Sequence, residues 1–340
     1  MKTDFKTAPL LAWFSQNRRE LPWRQDHEVY HVWLSEIMLQ QTRVEAVKGY
    51  YARFLSQLPT IAALAACEED RLLKLWEGLG YYSRVRNLQK AARQIMQQGG
   101  IFPQQYDAIR KLPGIGDYTA GAIASICFDQ PTPAVDGNVL RVMARLCDDH
   151  RDVSAACLRK EYRTELAKYY EKGLCADLTQ ALMELGATVC VPNGAPKCAV
   201  CPFGEICLAR KNGTALLLPV KAPKKSKKEE EKTVFVLRCG ELRAVKKREK
   251  RGLLAGLWEF PNVEGQLDAA AAVRQAEAWG AVPFEIEKSV ERVHIFTHIV
   301  WKLRCYYLSC REMPDCFEWV DEARFGQDVA LPTAFRIFYE

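Results

Sequence analysis

The chain has 340 residues, 49% of them hydrophobic, with a formal net charge of +6 and 13 cysteines, a length that suits two domains better than one. No apolar run is long enough to cross a membrane and no signal peptide is evident, so we expect a soluble cytoplasmic protein with reduced or metal-bound cysteines. The modest positive charge is compatible with a partner that carries phosphates.

From residue 8 to about residue 210 the apolar residues recur at helical spacing, with proline and glycine between the segments. One buried helical face is predicted from Trp33, Ile37, Val44, Val47 and Tyr51. We therefore predict an all-α first domain over residues 1–212.

A glycine-containing turn, Leu112–Gly116, separates two of these predicted helices. Both glycines can adopt positive φ and bring backbone N–H groups to the start of the next helix, where a phosphate is favoured. An ordinary helix-breaking turn has the same pattern. We interpret the segment as a helix-hairpin-helix, in which Gly114 and Gly116 contact DNA phosphate.

Asp136 directly precedes a predicted helix whose apolar positions include Val139 and Met143. It is therefore expected at a helix N-terminus, where the dipole favours the ionised carboxylate. A simple N-cap explains the same pattern, so the position alone does not separate a structural from a catalytic carboxylate.

Four cysteines lie close together in the sequence: Cys190, Cys198, Cys201 and Cys207. Four thiolates at this density suit either a tetrahedral zinc or a 4Fe-4S cluster. Structural zinc sites usually contain two C-x2-C pairs, whereas this segment contains one, so we favour a 4Fe-4S cluster with a structural, DNA-facing role.

The second half of the chain has a different pattern. Residues 213–232, which include a lysine-rich and glutamate-rich stretch without apolar periodicity, are predicted to form an exposed linker. Beyond it, Thr233–Cys239 and Trp301–Leu308 are typical of strands, and Ala269–Trp279 of a helix. We predict an α+β domain over residues 233–340.

Taken together, the motifs resemble those of the MutY-type adenine DNA glycosylases, within the endonuclease III superfamily. The resemblance covers nearly the whole chain and rests on six motifs in order: Leu21–Arg24, Ser35–Thr42, Gly78–Ser83, Leu112–Gly116, Val135–Val139 and the four cysteines. One departure is the seven residues between Cys190 and Cys198, where the family usually has six. The extra residue is expected to bulge the loop and leave all four ligands.

The resemblance implies chemistry for three residues. Glu36 lies on the edge of the apolar face marked by Trp33 and Ile37, where desolvation raises the pKa of a carboxyl; a surface glutamate is the alternative. Glu36 would protonate N7 of a flipped adenine, and Asp136, supported by Asn138, would stabilise or trap the sugar cation. Glu36 would then activate the hydrolytic water.

The residues implied around the flipped base are Trp23, Arg24, Leu39, Tyr118 and Gln180. Superfamily members that also cut the strand have a lysine two residues after the last hairpin glycine, because an amine can form a Schiff base. Tyr118 occupies that position. The resemblance therefore implies a monofunctional glycosylase.

Two further residues, Gln41 and Tyr81, match positions that enter the base stack, with Thr42 and Leu79 close by. Tyr81 could instead be a core residue, although the neighbouring glycines favour a loop that approaches DNA.

The segment Leu253–Pro261 resembles the start of a Nudix-type fold, which could signal a pyrophosphatase. However, Arg274–Trp279 offers too few carboxylates for the metal-binding box of such enzymes. The domain is instead expected to recognise 8-oxoguanine through Phe296, Thr297 and His298. The family commonly has Ser where Thr297 retains the hydroxyl, and His298 could equally be a packed histidine.

These observations predict a monomeric enzyme that removes adenine from double-stranded DNA when adenine is mispaired with 8-oxoguanine or guanine. Two alternatives stay open. One is a mismatch glycosylase of another base specificity, and the other is a non-catalytic iron-sulfur DNA-binding protein.

Overall fold

In a computed structural model, residues 5–222 and 226–339 are described. They divide into two compact units, one made of residues 5–66 and 86–222, the other of residues 67–85 and 226–339. No helix in these residues is long and apolar enough to cross a membrane.

Helices follow one another through the first 211 residues, as the spacing predicts. They are α1 Thr7–Asn17, α2 Val29–Leu39, α3 Val44–Gln57, α4 Ile61–Ala66, α5 Glu69–Leu75, α6 Ser83–Gln97, α7 Tyr106–Arg110, α8 Asp117–Phe128, α9 Gly137–Cys147, α10 Ala156–Ala167, α11 Cys175–Thr188 and α12 Leu208–Lys211, with short 3-10 turns at Pro22–Arg24 and Cys198–Val200. The all-α prediction for this half is confirmed.

The core of the first unit forms where α9 and α11 pack together with α1. Leu10, Phe14, Met143 and Leu182 are all fully or almost fully buried there, which removes their apolar surface from water. This packing fixes the start of α9, and with it Asp136, against the rest of the unit.

The single buried face predicted from Trp33 to Tyr51 is instead split between two helices, α2 and α3. Gln41 takes a φ of 59°, a left-handed conformation that ends the α-helical path. Val44 is consequently only half-buried, and it lines the cavity described below.

In the second unit, the described residues form a seven-stranded sheet with the order β3-β2-β1-β6-β5, in which β4 pairs with β1 and β7 with β2. The elements are β1 Lys228–Cys239, β2 Leu242–Lys247, β3 Trp258–Glu259, β4 Asn262–Glu264, α13 Ala269–Ala278, β5 Pro283–Ile295, β6 Ile299–Cys310, β7 Glu318–Val320, α14 Glu322–Gln327 and α15 Thr333–Arg336. The α+β prediction is confirmed.

Alternation along the central strands creates two apolar faces, because successive side chains of a strand point to opposite sides. Val234 and Trp301 pack in one cluster with residues of α14 and α15, while Phe235 and Leu308 pack in another with residues of α13. The sheet is therefore covered by helices on both faces.

The predicted linker, residues 213–232, is too long, because β1 begins at Lys228. Residues 228–232 pair in parallel with β6. Because this pairing uses backbone groups, it needs no apolar side chains, and the charged sequence did not indicate a strand. Trp301 further donates from its indole Nε1 to a Glu230 carboxylate oxygen, at 2.9 Å.

Residues 67–85, which lie inside the predicted first domain, pack with the second unit. Glu77 accepts a hydrogen bond from the Leu331 backbone N–H at 2.8 Å, and Asp70 pairs with Lys247 at 2.7 Å. These contacts join segments more than 170 residues apart in sequence.

Candidate active site

Glu36 projects from α2, a helix in which most residues are buried, and the glutamate itself is only 6% exposed. The Tyr118 hydroxyl donates to its Oε2 at 2.5 Å. Burial raises the pKa of the Glu36 carboxyl to about 7; the hydrogen bond from Tyr118 opposes that rise, Asp136 adds to it, and Arg24 opposes it. The alternative of a surface glutamate is wrong.

Burial and the two neighbouring carboxylates also raise the pKa of Tyr118 well above its usual value. The phenol therefore stays protonated at neutral pH, and it acts as a hydrogen-bond donor to Glu36.

Asp136 is the N-cap of α9, as its position before the helix predicts. The Val139 backbone N–H donates to its Oδ1 at 2.7 Å, and the Asn138 amide donates to its Oδ2 at 2.7 Å. Desolvation raises the pKa of Asp136, and these two hydrogen bonds and Arg141 oppose the rise. The same side chain thus caps the helix and faces the cavity that contains Glu36.

A cavity of about 950 Å³ in the first unit brings most of the predicted site residues together. The predicted residues that line it are Trp23, Arg24, Glu36, Leu39, Gln41, Thr42, Gly116, Tyr118, Asp136, Asn138 and Gln180. A volume of this size accommodates an organic ligand as large as a nucleoside.

The hairpin between α7 and α8 has two different glycines. Gly114 has a φ of 77°, and an added Cβ would lie 2.6 Å from the Asn87 Cβ, so only glycine fits. Gly116 is the N-cap of α8 in an extended conformation with φ −96°, which corrects the expectation that both glycines adopt positive φ. As Gly116 has no side chain, the first N–H groups of α8 are left for an external anion.

Leu79 and Tyr81 lie in the second unit and do not line this cavity. Leu79 is buried, whereas Tyr81 is 48% exposed with a left-handed φ of 47°, so the interpretation of Tyr81 as a core residue is wrong. Arg84 supports this loop: it donates to the carbonyls of Leu79 and Gly80 at 2.8 and 3.1 Å.

The turn between β5 and β6 consists of Phe296, Thr297 and His298. The Phe296 ring packs against Trp301, with ring centroids 4.8 Å apart, while Thr297 and His298 are exposed; His298 is therefore not a packed histidine. The Thr297 hydroxyl and the Tyr81 hydroxyl are 2.9 Å apart and share a hydrogen bond.

Cys190, Cys198, Cys201 and Cys207 are free thiols that line one cavity. No three His, Cys, Asp or Glu side chains in the described ranges are placed to hold a metal ion. Four cysteine thiols that line one cavity are a donor set that either a tetrahedral zinc or an iron-sulfur cluster can use. Burial raises the pKa of Cys201 to about 12.

Arg141 is a site residue that the sequence analysis missed. Its guanidinium donates to the Cys190 carbonyl at 2.7 Å, and to the Asn138 Oδ1 and the Gly186 carbonyl at 2.8 Å each. It therefore connects the partner of Asp136 to the cysteine segment. Two arginines four residues apart in an otherwise apolar helix, Arg141 and Arg145 of α9, are the sequence signal that could have identified Arg141.

Glu184 is a second missed residue. It is fully buried and pairs with Arg19 and Arg24. Gln180 lies four residues earlier on α11 and also lines the cavity, so this helical spacing could have indicated Glu184.

The chain is similar to known proteins in both of its halves. The family model of the HhH-GPD superfamily base excision DNA repair proteins matches residues 34–172, and the NUDIX domain model matches residues 233–340. The structure of a thermostable thymine-DNA glycosylase is similar to the chain with 26% identity and a TM-score of 0.55, covering 61% of this chain and 95% of that one.

Adenine DNA glycosylases are similar over most of their length. The adenine DNA glycosylase of Rattus norvegicus is 33% identical to this chain, and the similarity covers 97% of this chain and 77% of the relative. The adenine DNA glycosylase of Homo sapiens is 34% identical, and the similarity covers 97% of this chain and 73% of the relative. The chain belongs to the adenine DNA glycosylase family.

Proposed function

We propose that the protein is a monofunctional DNA glycosylase that flips adenine out of a duplex and hydrolyses its N-glycosidic bond when the opposite base is 8-oxoguanine or guanine. The observation that carries this proposal is the buried Glu36 carboxyl, hydrogen-bonded to Tyr118 and sharing one cavity with Asp136. A pKa of about 7 keeps much of Glu36 protonated at neutral pH, as a general acid requires.

In the first step, Glu36 donates its proton to N7 of the flipped adenine. The C1′–N9 bond breaks, the bonding electrons stay with the base, and the sugar becomes an oxocarbenium-like cation. The Asp136 carboxylate, held by Val139 and Asn138, stabilises or traps this cation.

In the second step, the Glu36 carboxylate accepts a proton from water, and the water oxygen bonds to C1′. Glu36 is thereby returned to its protonated state, and the products are free adenine and an abasic strand. Tyr118 donates to the Glu36 carboxylate and therefore favours the ionised form needed here.

DNA binding is supported by the hairpin and by the overall positive charge. The free N–H groups after Gly116 suit a phosphate at the start of α8, and Gly114 shapes the turn. Gln41 and Tyr81, both in left-handed conformations, are the proposed residues that enter the base stack, with Thr42 and Leu79 beside them.

The turn Phe296–His298 is the proposed reader of 8-oxoguanine, since the Thr297 hydroxyl is exposed and can donate or accept a hydrogen bond. The proposed oligomeric state is a monomer.

We further propose that Cys190, Cys198, Cys201 and Cys207 bind a 4Fe-4S cluster that has a structural role. The Arg145 guanidinium donates to the Cys190 Sγ at 3.3 Å, so a cationic side chain contacts one of the four sulfurs. Purified protein should be brown and contain about four irons per chain; about one zinc and no iron would overturn the assignment.

The test of the monofunctional reaction uses a labelled duplex with one adenine opposite 8-oxoguanine. The abasic strand should stay intact until alkali is added, and borohydride should trap no stoichiometric adduct. Lys160 also lines the cavity, and a trapped adduct that disappears in Lys160→Gln would contradict the monofunctional assignment. A thymine:guanine duplex, which tests the alternative base specificity, should be left unchanged.

A further inference from the structure

Glu184 is a fully buried carboxylate in α11 whose two oxygens are held by two arginines from the segment before α2. Its Oε1 accepts from the backbone N–H and the Nε of Arg19, at 3.1 and 2.6 Å. Its Oε2 accepts from the Nη2 of Arg19 and the Nη2 of Arg24, at 2.9 Å each. The Glu184 carboxylate therefore holds both guanidinium groups.

Both arginines are attached through more than this one contact. Arg24 also donates to the Arg19 carbonyl at 3.3 Å and lies over the Phe14 ring, with its Cζ 5.7 Å from the ring centroid. Burial acts to raise the pKa of Glu184, but the hydrogen bonds from Arg19 and the charge of Arg24 hold this pKa below its usual value. Glu184 is therefore a carboxylate at neutral pH.

The cavity that contains Glu36 is lined by Arg19, Arg24 and Glu184 as well. Charged and titratable groups face Glu36 from three places: Tyr118 and Cys127 of α8, Asp136 at the start of α9, and Arg24 of the 3-10 turn. Arg24 is the cation among them, and it favours the ionised form of Glu36. The position of the Arg24 guanidinium consequently affects the pKa of Glu36, the proposed proton donor.

We propose that Glu184 is a positioning residue that fixes the Arg24 guanidinium in the wall of the cavity that also contains Glu36. This inference rests on the proposed glycosylase function. Without the carboxylate, Arg19 and Arg24 would be two adjacent cations with no shared counter-charge, and the Arg24 guanidinium would no longer be held at its place in the cavity wall.

The experiment measures single-turnover adenine release against pH for wild type, Glu184→Gln, Arg24→Gln and the double variant. Glu184→Gln and Arg24→Gln should each lower the maximal rate by a similar factor, about tenfold, because both remove the Arg24 guanidinium from its position in the wall of the cavity. In both variants the rate should fall at a higher alkaline pH than in wild type, which moves the alkaline limb of the pH profile. The reason is that the pKa of Glu36 rises when the charge of Arg24 is lost or displaced. The double variant should match Arg24→Gln, because Glu184 acts through Arg24.

Glu161→Gln is the matched control: this glutamate is in an exposed ion pair with Arg151, and its substitution should leave the rate and the pH limb unchanged. If the effects of Glu184→Gln and Arg24→Gln multiply in the double variant, Glu184 does not act through Arg24 and the proposal is wrong. An unshifted alkaline limb in Glu184→Gln, with a rate loss equal to its loss of folded protein by circular dichroism, would show a purely structural role.

Arg19→Lys keeps the proposal testable if Glu184→Gln does not fold. Lysine retains the charge but not the two-pronged contact with Glu184, so the limb should move to higher pH by a smaller amount; no movement would overturn the proposal. A wild-type protein that releases no adenine would instead refute the proposed function, which separates the two failures.

Discussion

Replacing Glu36 with glutamine should make the protein more stable at neutral and alkaline pH while abolishing catalysis. The native carboxyl has a pKa of about 7 against an ordinary value of 4.5, so between these values the native state retains a proton that the unfolded chain has released. Stability therefore falls as pH rises through this window, and above pH 7 the loss reaches about 3 kcal/mol, at about 1.4 kcal/mol per pH unit of separation.

Glutamine removes this loss because it has no ionised form, and its amide oxygen can still accept the hydrogen bond from Tyr118. Urea unfolding of both proteins should give equal free energies of unfolding near pH 4, below the ordinary value of 4.5. At pH 8 the variant should be more stable by about 3 kcal/mol.

The comparison at pH 4 is an internal control, since the Glu36 carboxyl is then largely protonated in both the native and the unfolded state. A difference between the proteins that does not change with pH would show that the pKa of Glu36 is not raised in the native state. A variant that is less stable than wild type at pH 8 would show the same.

Three further substitutions test the surrounding groups. Gly186→Ala places a Cβ 2.6 Å from the Asn138 Cβ, so it should destabilise the fold by about 1–3 kcal/mol in urea unfolding and slow adenine release. Tyr118→Phe removes the donor that favours ionised Glu36, so the alkaline limb of the rate profile should move to higher pH than in wild type. Thr297→Ala should lower discrimination between 8-oxoguanine and guanine opposite adenine by about 1–2 kcal/mol, measured from the ratio of single-turnover rates.

Local patterns predicted the parts of the site that depend on nearby residues. Asp136 was expected as an N-cap because it directly precedes an apolar helical pattern, and its contact with Val139 confirms that geometry. The segments Thr233–Cys239 and Trp301–Leu308 were expected as strands because their residues are typical of strands, and Val234 and Phe235 lie on opposite faces of the sheet. For Asp136, the determining contact lies three residues away.

What the sequence did not reveal depends on contacts between distant segments. Glu184 meets Arg19 and Arg24 across 165 and 160 residues, and nothing in the local pattern of α11 identifies these partners. The break at Gln41 was missed because a left-handed residue without glycine has no strong local signal. Residues 67–85 pack with the second unit, although their helical pattern matches that of the first.

The most direct test of the central claim is free adenine released from a duplex with one adenine opposite 8-oxoguanine, measured by chromatography for wild type and for Glu36→Gln. Wild type should release stoichiometric adenine in a single turnover. Glu36→Gln should release none above background, because its amide cannot donate the proton, although it should still bind the duplex. Adenine release by Glu36→Gln at the wild-type rate would show that Glu36 is not the general acid.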